Sequence, residues 1–227
     1  MDPIVVIPAR AGSKGLPGKN TKRLAGKPLV QYTIEAALEL FDEKNILVST
    51  NDDEVINVAQ SLGITVPFKR PEYLCTDNAT TQDVLNHALQ FFEKNVYSPN
   101  ALILLQPTSP FRTAKNIREA LNLFKKSIDM VVSVKETQSN PYYVLFEENK
   151  YGYLEKSKKG NFSRRQDCPK VWEYNGAIYI VNVSSLKTST LGTFTRIRKY
   201  VMNQVASIDI DNELDWLMAE SIMLNRS

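Results

Sequence analysis

The 227-residue chain has one histidine, His87, and two cysteines, Cys75 and Cys168, too far apart for a CxxC pair. A single histidine beside apolar positions leaves Ser–His nucleophiles and multi-histidine metal centres without the partners they need. Two distant cysteines give no disulfide framework and read as reduced thiols of a cytoplasmic protein. No run approaches the roughly 18 apolar residues of a membrane span. The apolar stretch "PIVVIPA" is short and follows no basic start, so a signal peptide is not expected. Internal repeats and low-complexity tracts are also absent. What remains is a chain 43% hydrophobic, enough for one large domain or one domain with an excursion.

Acid is missing from one place in particular. Residues 7 to 28, "IPARAGSKGLPGKNTKRLAGKP", contain six basic residues, four glycines and no carboxylate. The whole chain has 28 basic and 25 acidic residues, so without this stretch it is slightly acidic. A surface spread for nucleic acid needs a broad basic face, and that is not expected here. The positive charge is local. Glycines let backbone N–H groups approach a polyanion, and Lys and Arg neutralise it. The spacing excludes two familiar phosphate loops. Lys19 is followed by Asn20 rather than Ser or Thr, and the glycines run G-x-x-G-x-x-G rather than G-x-G-x-x-G.

Short β-branched runs alternate with helix-period segments over the first 135 residues. "IVVIPA", "NILVST", "ITVPF", "ALILLQP" and "MVVSV" read as strands buried on both faces. Val30, Ile34, Ala37, Leu38 and Phe41 share one helical face, with Pro28 at its start. Val84, Leu85, Ala88, Leu89 and Phe92 share a second, opened by a capping box of Thr80 and Asp83. Ile117, Ala120, Leu121 and Phe124 make a third. This progression predicts an α/β fold, a mostly parallel Rossmann-like sheet flanked by helices. In such sheets ligands bind at the carboxyl ends of strands, which is where the basic loop falls.

From about residue 137 the pattern changes to alternating, Tyr-rich sequence with turn signals at "ENKYG" and "SKKGN". Residues 137–170 are expected to form a small antiparallel excursion from an α/β domain of residues 1–136 and 171–227. A last helix should follow "SIDIDNELDW", with Leu214, Leu217 and Met218 on one side. In an extended "SIDIDNE", Asp209 and Asp211 face the same way. They could hold Mg²⁺ near a triphosphate, or Asp211 could simply cap the helix. Gln106, in "LLQPTSPFR", ends a buried strand with an amide suited to reading sugar hydroxyls.

"IPARAGSKGLPGKN" resembles the signature of the CMP-N-acylneuraminate cytidylyltransferases, which activate sialic and related nine-carbon sugar acids. "RPEYLCTDNATT", "LLQPTSPFR", "RRQDCP", "NGAIYI" and "SIDIDNELDW" resemble further blocks of that family in the same order, spanning nearly the whole chain. The resemblance implies a homodimeric transferase of the nucleotide-diphospho-sugar type, acting on CTP and a nonulosonic acid with Mg²⁺. It implies nucleotide contacts from Ala9, Arg10, Gly12, Ser13, Lys14, Lys19, Asn20, Arg70, Ala79 and Thr81. Arg10 and Lys14 would hold the triphosphate tail, and Lys19 would meet charge developing at the α-phosphate. Sugar contacts would come from Gln106, Thr108, Ser109, Asn175 and Tyr179, with Arg165 reaching the partner's site across a dimer. Asp209 and Asp211 would hold the metal.

The chain departs from the sialic acid pattern twice. Tyr143 and Glu173 stand where those enzymes commonly carry a Lys and an Arg, which widens the expected substrates to acids such as legionaminic acid. Two rivals remain at this stage, a CMP-Kdo synthetase and a non-catalytic polyanion or RNA binder using the basic loop.

Overall fold

Ile4, Val5, Val6 and Ile7 send successive side chains into opposite layers, and this sets the architecture. The computed structural model describes residues 2–12 and 15–225. β1 (Pro3–Pro8) leads through the basic loop to two short bridging strands, β2 (Arg23–Leu24) and β3 (Lys27–Pro28), and then to α1 (Leu29–Leu38). β4 (Ile46–Ser49), α2 (Asp53–Ser61), α3 (Thr81–Asn95), β5 (Ala101–Leu105), α4 (Ala114–Leu123) and β6 (Met130–Glu136) follow. A hairpin of β7 (Phe146–Glu148) and β8 (Leu154–Lys156) precedes the long β9 (Trp172–Asn182). α5 (Val183–Thr188), β10 (Ile197–Val201) and α6 (Glu213–Leu224) complete the chain.

The main sheet has six strands in the order β10-β6-β9-β5-β1-β4. β1 pairs parallel with β4 and β5, and β10 parallel with β6. β9 lies antiparallel between β5 and β6. Val5 and Ile7 pack with α1, α2 and α4 on one face, while Ile4 and Val6 pack with α3 and α5 on the other. A third apolar group lies under the basic loop, where Leu16, Leu24 and Leu29 meet Ile210, Trp216 and Ala219. The capping box expected at α3 is present, with Thr80 Oγ1 accepting from Asp83 N and the Asp83 carboxylate from Thr80 N. Such caps are worth about 1 kcal/mol.

β9 is interrupted by a bulge. Val132 pairs with Tyr179 and Val134 with Tyr174, so four residues of β9 face Ser133 alone. Gly176 takes φ +76° there, a backbone state glycine adopts without a Cβ penalty. Ser133 Oγ donates to Asn175 Oδ1 at 2.6 Å and accepts from Ile178 N at 2.8 Å. Asn175 Nδ2 donates to Ser207 Oγ at 2.8 Å. The bulge is therefore pinned from both sides.

Four local expectations are corrected. Ile64–Phe68 forms no strand: Gly63, at φ +84°, ends α2, and Pro67 has no N–H to donate to a ladder. The "ENKYG" segment turns the β7–β8 hairpin, but "SKKGN" runs on without a paired strand. Pro28 stands at the N-cap of α1 rather than inside its first turn. Leu214, Leu217 and Met218 are exposed, because α6 docks through Trp216 and Ala219 instead. The Lys22 ammonium covers the Trp216 ring at 4.3 Å and seals that contact.

Asp129 ties β6 to the segment before β10. Its carboxylate accepts from Arg196 Nη2 at 2.7 Å, from Arg196 N at 2.9 Å and from Ser185 Oγ at 2.8 Å. The Arg196 guanidinium leads these contacts in holding its pKa far below the ordinary carboxylate range. A depressed folded pKa gives stability that is present above the unfolded value, about 4, and lost as pH falls through the folded one. Asp129→Asn should therefore lower the melting temperature at pH 7 by several degrees. The gap to wild type should narrow on acidification below about pH 4, read by thermal denaturation across pH.

Candidate active site

A cleft of about 690 Å³ opens over the carboxyl ends of β1 and β5. Because β9 runs antiparallel to β5, its amino-terminal half and its bulge reach the same end of the sheet. The basic loop supplies Arg10, Gly15, Lys19 and Asn20, the segment leading to α3 supplies Arg70 and Ala79, and Thr81 opens α3. Gln106 and Thr108 follow β5, Tyr174, Gly176 and Tyr179 come from β9, and Asp209 and Asp211 precede α6.

The loop lies at the surface but is pinned from beneath, with Leu16, Asn20 and Leu24 buried. Lys19 Nζ donates to Asp211 Oδ1 at 2.9 Å and to the carbonyl of Ile210 at 2.8 Å. Gly15 lies so close to that turn that a Cβ there would sit 2.1 Å from the Asp211 carbonyl oxygen. Arg10 donates to the Cys75 carbonyl at 2.7 Å and to Asp77 Oδ1 at 2.8 Å. Asn20, itself buried, donates to the Arg10 carbonyl at 3.2 Å. Each cation is thus aimed by a fixed acceptor at the rim of the cleft. Arg70 is buried at 4% exposure, with Nε donating to Ser49 Oγ at 2.9 Å and a further bond from Nη2 to the Ser49 carbonyl. Burial pushes its pKa down to about 10.

Asp209 faces this basic wall from the opposite side. Its Oδ1 is buried without a hydrogen-bond partner among the described residues. Burial pushes its carboxyl pKa up, with Thr108 and Lys19 opposing and the Asp211 charge adding to the rise. Gly176 backs onto it, and a Cβ at that glycine would lie 3.0 Å from Asp209 Oδ2. Asp211 does not cap α6. Asn212 does, accepting from Asp215 N at 3.1 Å, and Asp215 Oδ2 returns the bond to Asn212 N. The Asp211 carboxylate is left for Lys19 and the cleft. No cluster of three or more His, Cys, Asp or Glu suited to a metal occurs among the described residues, so a cation here would draw its other ligands from a bound molecule and water.

Of the residues singled out in the sequence, Arg10, Lys19, Asn20, Arg70, Ala79, Thr81, Gln106, Thr108, Tyr179, Asp209 and Asp211 share the cleft. Ser13 and Lys14 lie outside the described residues. Ala9 is buried beneath the cleft, where its N–H donates to the Ser49 carbonyl, and Gly12 turns the chain above it at φ +74°. Ser109 is fully buried and does not line the cleft. Neither does Asn175, whose amide is consumed in holding the β9 bulge. Arg165 lies in a separate depression with Glu136, Asn140 and Cys168. Glu173 is paired with Lys135 at 3.2 Å on the neighbouring strand. His87 packs edge-on against Phe68 at 4.9 Å, outside the cleft, and burial lowers its pKa. Tyr174 and Gly176 were missed as cleft residues. The glycine in "NGA" was the available signal for both.

A basic loop and an acid pair thus face each other at the carboxyl edge of the sheet, and the chain belongs to the cytidylyltransferase family, whose model matches residues 4–212. Over 220 residues it is 37% identical to an N-acylneuraminate cytidylyltransferase of Streptococcus agalactiae serotype III, covering 96% of this chain and 52% of that protein. The chain thus spans about half the length of that relative. Over 222 residues it is 34% identical to a CMP-N,N'-diacetyllegionaminic acid synthase of Legionella pneumophila, covering 97% of this chain and 95% of that one. A solved CMP:2-keto-3-deoxy-manno-octonic acid synthetase complexed with CTP shares the fold at TM-score 0.70 and 18% identity, each chain fully covered.

The Gly15 contact makes a direct test. Gly15→Ala places a Cβ against backbone, which cannot swing aside as a side chain can, so the loop and the Asp211 turn must part. The melting temperature, read by thermal denaturation, should fall by several degrees. Gly192→Ala, with open space around its Cβ position, should leave it unchanged.

Proposed function

We propose that this protein is a cytidylyltransferase that converts CTP and a free nonulosonic acid into the CMP-sugar and pyrophosphate. The observation that supports it most is the meeting of Arg10 and Lys19 with Asp209 and Asp211 in one cleft. A polyanion or RNA binder would have no use for a buried carboxylate opposite its basic loop. The relatives named above fit the same reading, whereas the octonic acid enzyme resembles this chain in fold alone.

The sugar's anomeric hydroxyl would attack the α-phosphorus, a new P–O bond forming as the bond to pyrophosphate breaks and the hydroxyl proton leaves to solvent. Catalysis of this kind is positioning and charge neutralisation. Arg10 would hold the triphosphate tail, together with Lys14 of the same loop. Lys19, exchanging Asp211 for the nucleotide, would meet the charge that grows at the α-phosphate, with Asn20 fixing the loop behind it. Arg70, Ala79 and Thr81 would border the nucleotide, and Gln106, Thr108 and Tyr179 the sugar acid. The two carboxylates fit Mg²⁺, since Asp209 Oδ1 is an orphaned buried oxygen and hard oxygen donors suit that ion. Asp209 and Asp211 would hold it, and when bound it screens the triphosphate charge. Tyr143 and Glu173 offer no cation to a polyhydroxylated tail, so legionaminic-type acids stand beside sialic acid as substrates. CTP and the unpaired thiols of Cys75 and Cys168 suit the cytoplasm.

The β7–β8 hairpin exposes Leu145, Phe146, Tyr151, Tyr153 and Leu154, more apolar surface than an isolated hairpin can carry in water. A second copy of the chain would cover it in a two-fold dimer. Arg165 of one protomer would then pair with the sugar carboxylate bound in the other.

Pyrophosphate should appear only when CTP, Mg²⁺ and a nonulosonic acid are all present, measured over a panel of such acids with Kdo alongside. Equal turnover with Kdo, or none with any acid, would remove this reading. Lys19→Ala should lower kcat by about a hundredfold or more. Mixing Arg165→Ala chains with Lys19→Ala chains should restore activity, because a mixed dimer contains one intact shared site. Mixtures that exchange subunits and stay inactive would leave each site to a single chain.

A further inference from the structure

Arg112 ends the "LLQPTSPFR" block, and no role above uses it. Its side chain is buried at 3% exposure although its guanidinium carries a charge. Its bonds run to neutral acceptors. Nη1 donates to the carbonyls of Gln106 at 3.0 Å and Ala177 at 3.1 Å, and Nη2 donates to Thr33 Oγ1 at 2.6 Å. Nε is buried with no partner among the described residues. Burial lowers the pKa of the group to about 9. An apolar side chain of similar length would fill this space without desolvating a cation, so filling space does not explain an arginine.

The directions of its bonds do. A guanidinium is a planar fork with donors at fixed angles, and here it joins three elements. Gln106, just past β5, lines the cleft itself. Ala177 follows Gly176, the glycine packed against the Asp209 carboxylate. Thr33, on α1, passes the bond on by donating to the Gln106 carbonyl at 3.3 Å. Two residues beyond Gln106, the Thr108 carbonyl accepts from Ile210 N at 2.9 Å, between the two aspartates.

We propose that Arg112 is a positioning residue: through the Gln106 and Ala177 carbonyls it sets the distance between the Gln106 wall of the cleft and the Gly176–Asp209 wall, where the acceptor sugar acid lies. This rests on the function proposed above. None of its acceptors belongs to the Arg10–Lys19 loop, so its influence falls on the acceptor and on the chemical step rather than on CTP. Misplacement by about 1 Å can cost about a hundredfold in rate.

The test uses Arg112→Lys, which keeps a charge but offers one point donor in place of a fork, and Thr33→Val, which removes one acceptor and keeps the arginine. For Arg112→Lys, KM for CTP should stay within about twofold of wild type while kcat/KM for the sugar acid falls by about tenfold or more. Thr33→Val should shift the same ratio in the same direction by less. Thermal denaturation and circular dichroism of both variants accompany the kinetics. A role confined to holding the fold would lower the melting temperature and the active fraction while leaving both KM values and the ratio between the substrates unchanged, and that result overturns the proposal. Wild-type turnover with unaffected variants overturns it alone. A wild type inactive with every nonulosonic acid overturns the proposed function, and with it a positioning role toward such an acceptor.

Discussion

Lys19 holds the site together. Its ammonium reaches 192 positions along the chain to Asp211 and its neighbour's carbonyl, so a loop from the first strand and a turn before the last helix are fastened at one point. Lys19 is only slightly exposed but the Asp211 side chain is largely open to water, so the ion pair itself is screened and the bond to the carbonyl of buried Ile210 carries the anchoring. Gly15 permits the approach, and Trp216 with the Lys22 ammonium above it supports the turn from below. The acid pair has its place because the basic loop has, and neither is arranged alone.

The sheet could be read from the sequence because its strands and helices announce themselves by period. "IVVI" and "ALILL" are continuous apolar runs, and the α3 face from Val84 to Phe92 repeats at helical spacing above a capping box. Long-range arrangement is not carried by period. Nothing local to β9 says that it will lie antiparallel between β5 and β6. α6 shows the same limit. Leu214, Leu217 and Met218 form an apolar stripe, yet the helix buries Trp216 and Ala219, because one large ring fitted against Leu24 and Ile210 outweighs the stripe.

At the site, charge was the legible part. Arg10, Lys19, Asp209 and Asp211 could be marked from their charge together with the family resemblance, and they meet in the cleft. Asn175 and Ser109 were harder. A polar residue inside a matched block can touch a ligand or hold the backbone that does, and the two look alike in one dimension. Asn175 holds the bulge that brings Gly176 to Asp209. Arg112 adds a charged residue that lies in the core and binds only neutral acceptors.

The clasp between Lys19 and Asp211 also has a consequence for how the protein is made. The two ends of the site are nearly a chain length apart, so during synthesis the basic loop leaves the ribosome long before its acidic counterpart exists. Closing so long a loop comes late in folding, after the local helices and neighbouring strands have formed. Until then Lys19 and Lys22 lack their acidic partners, while Arg10 and Lys27 already have Asp77 and Glu35 within reach. The finished cleft thus marks completed folding, and a chain cut short of residue 209 would retain much of the sheet without an opposing wall to its cleft.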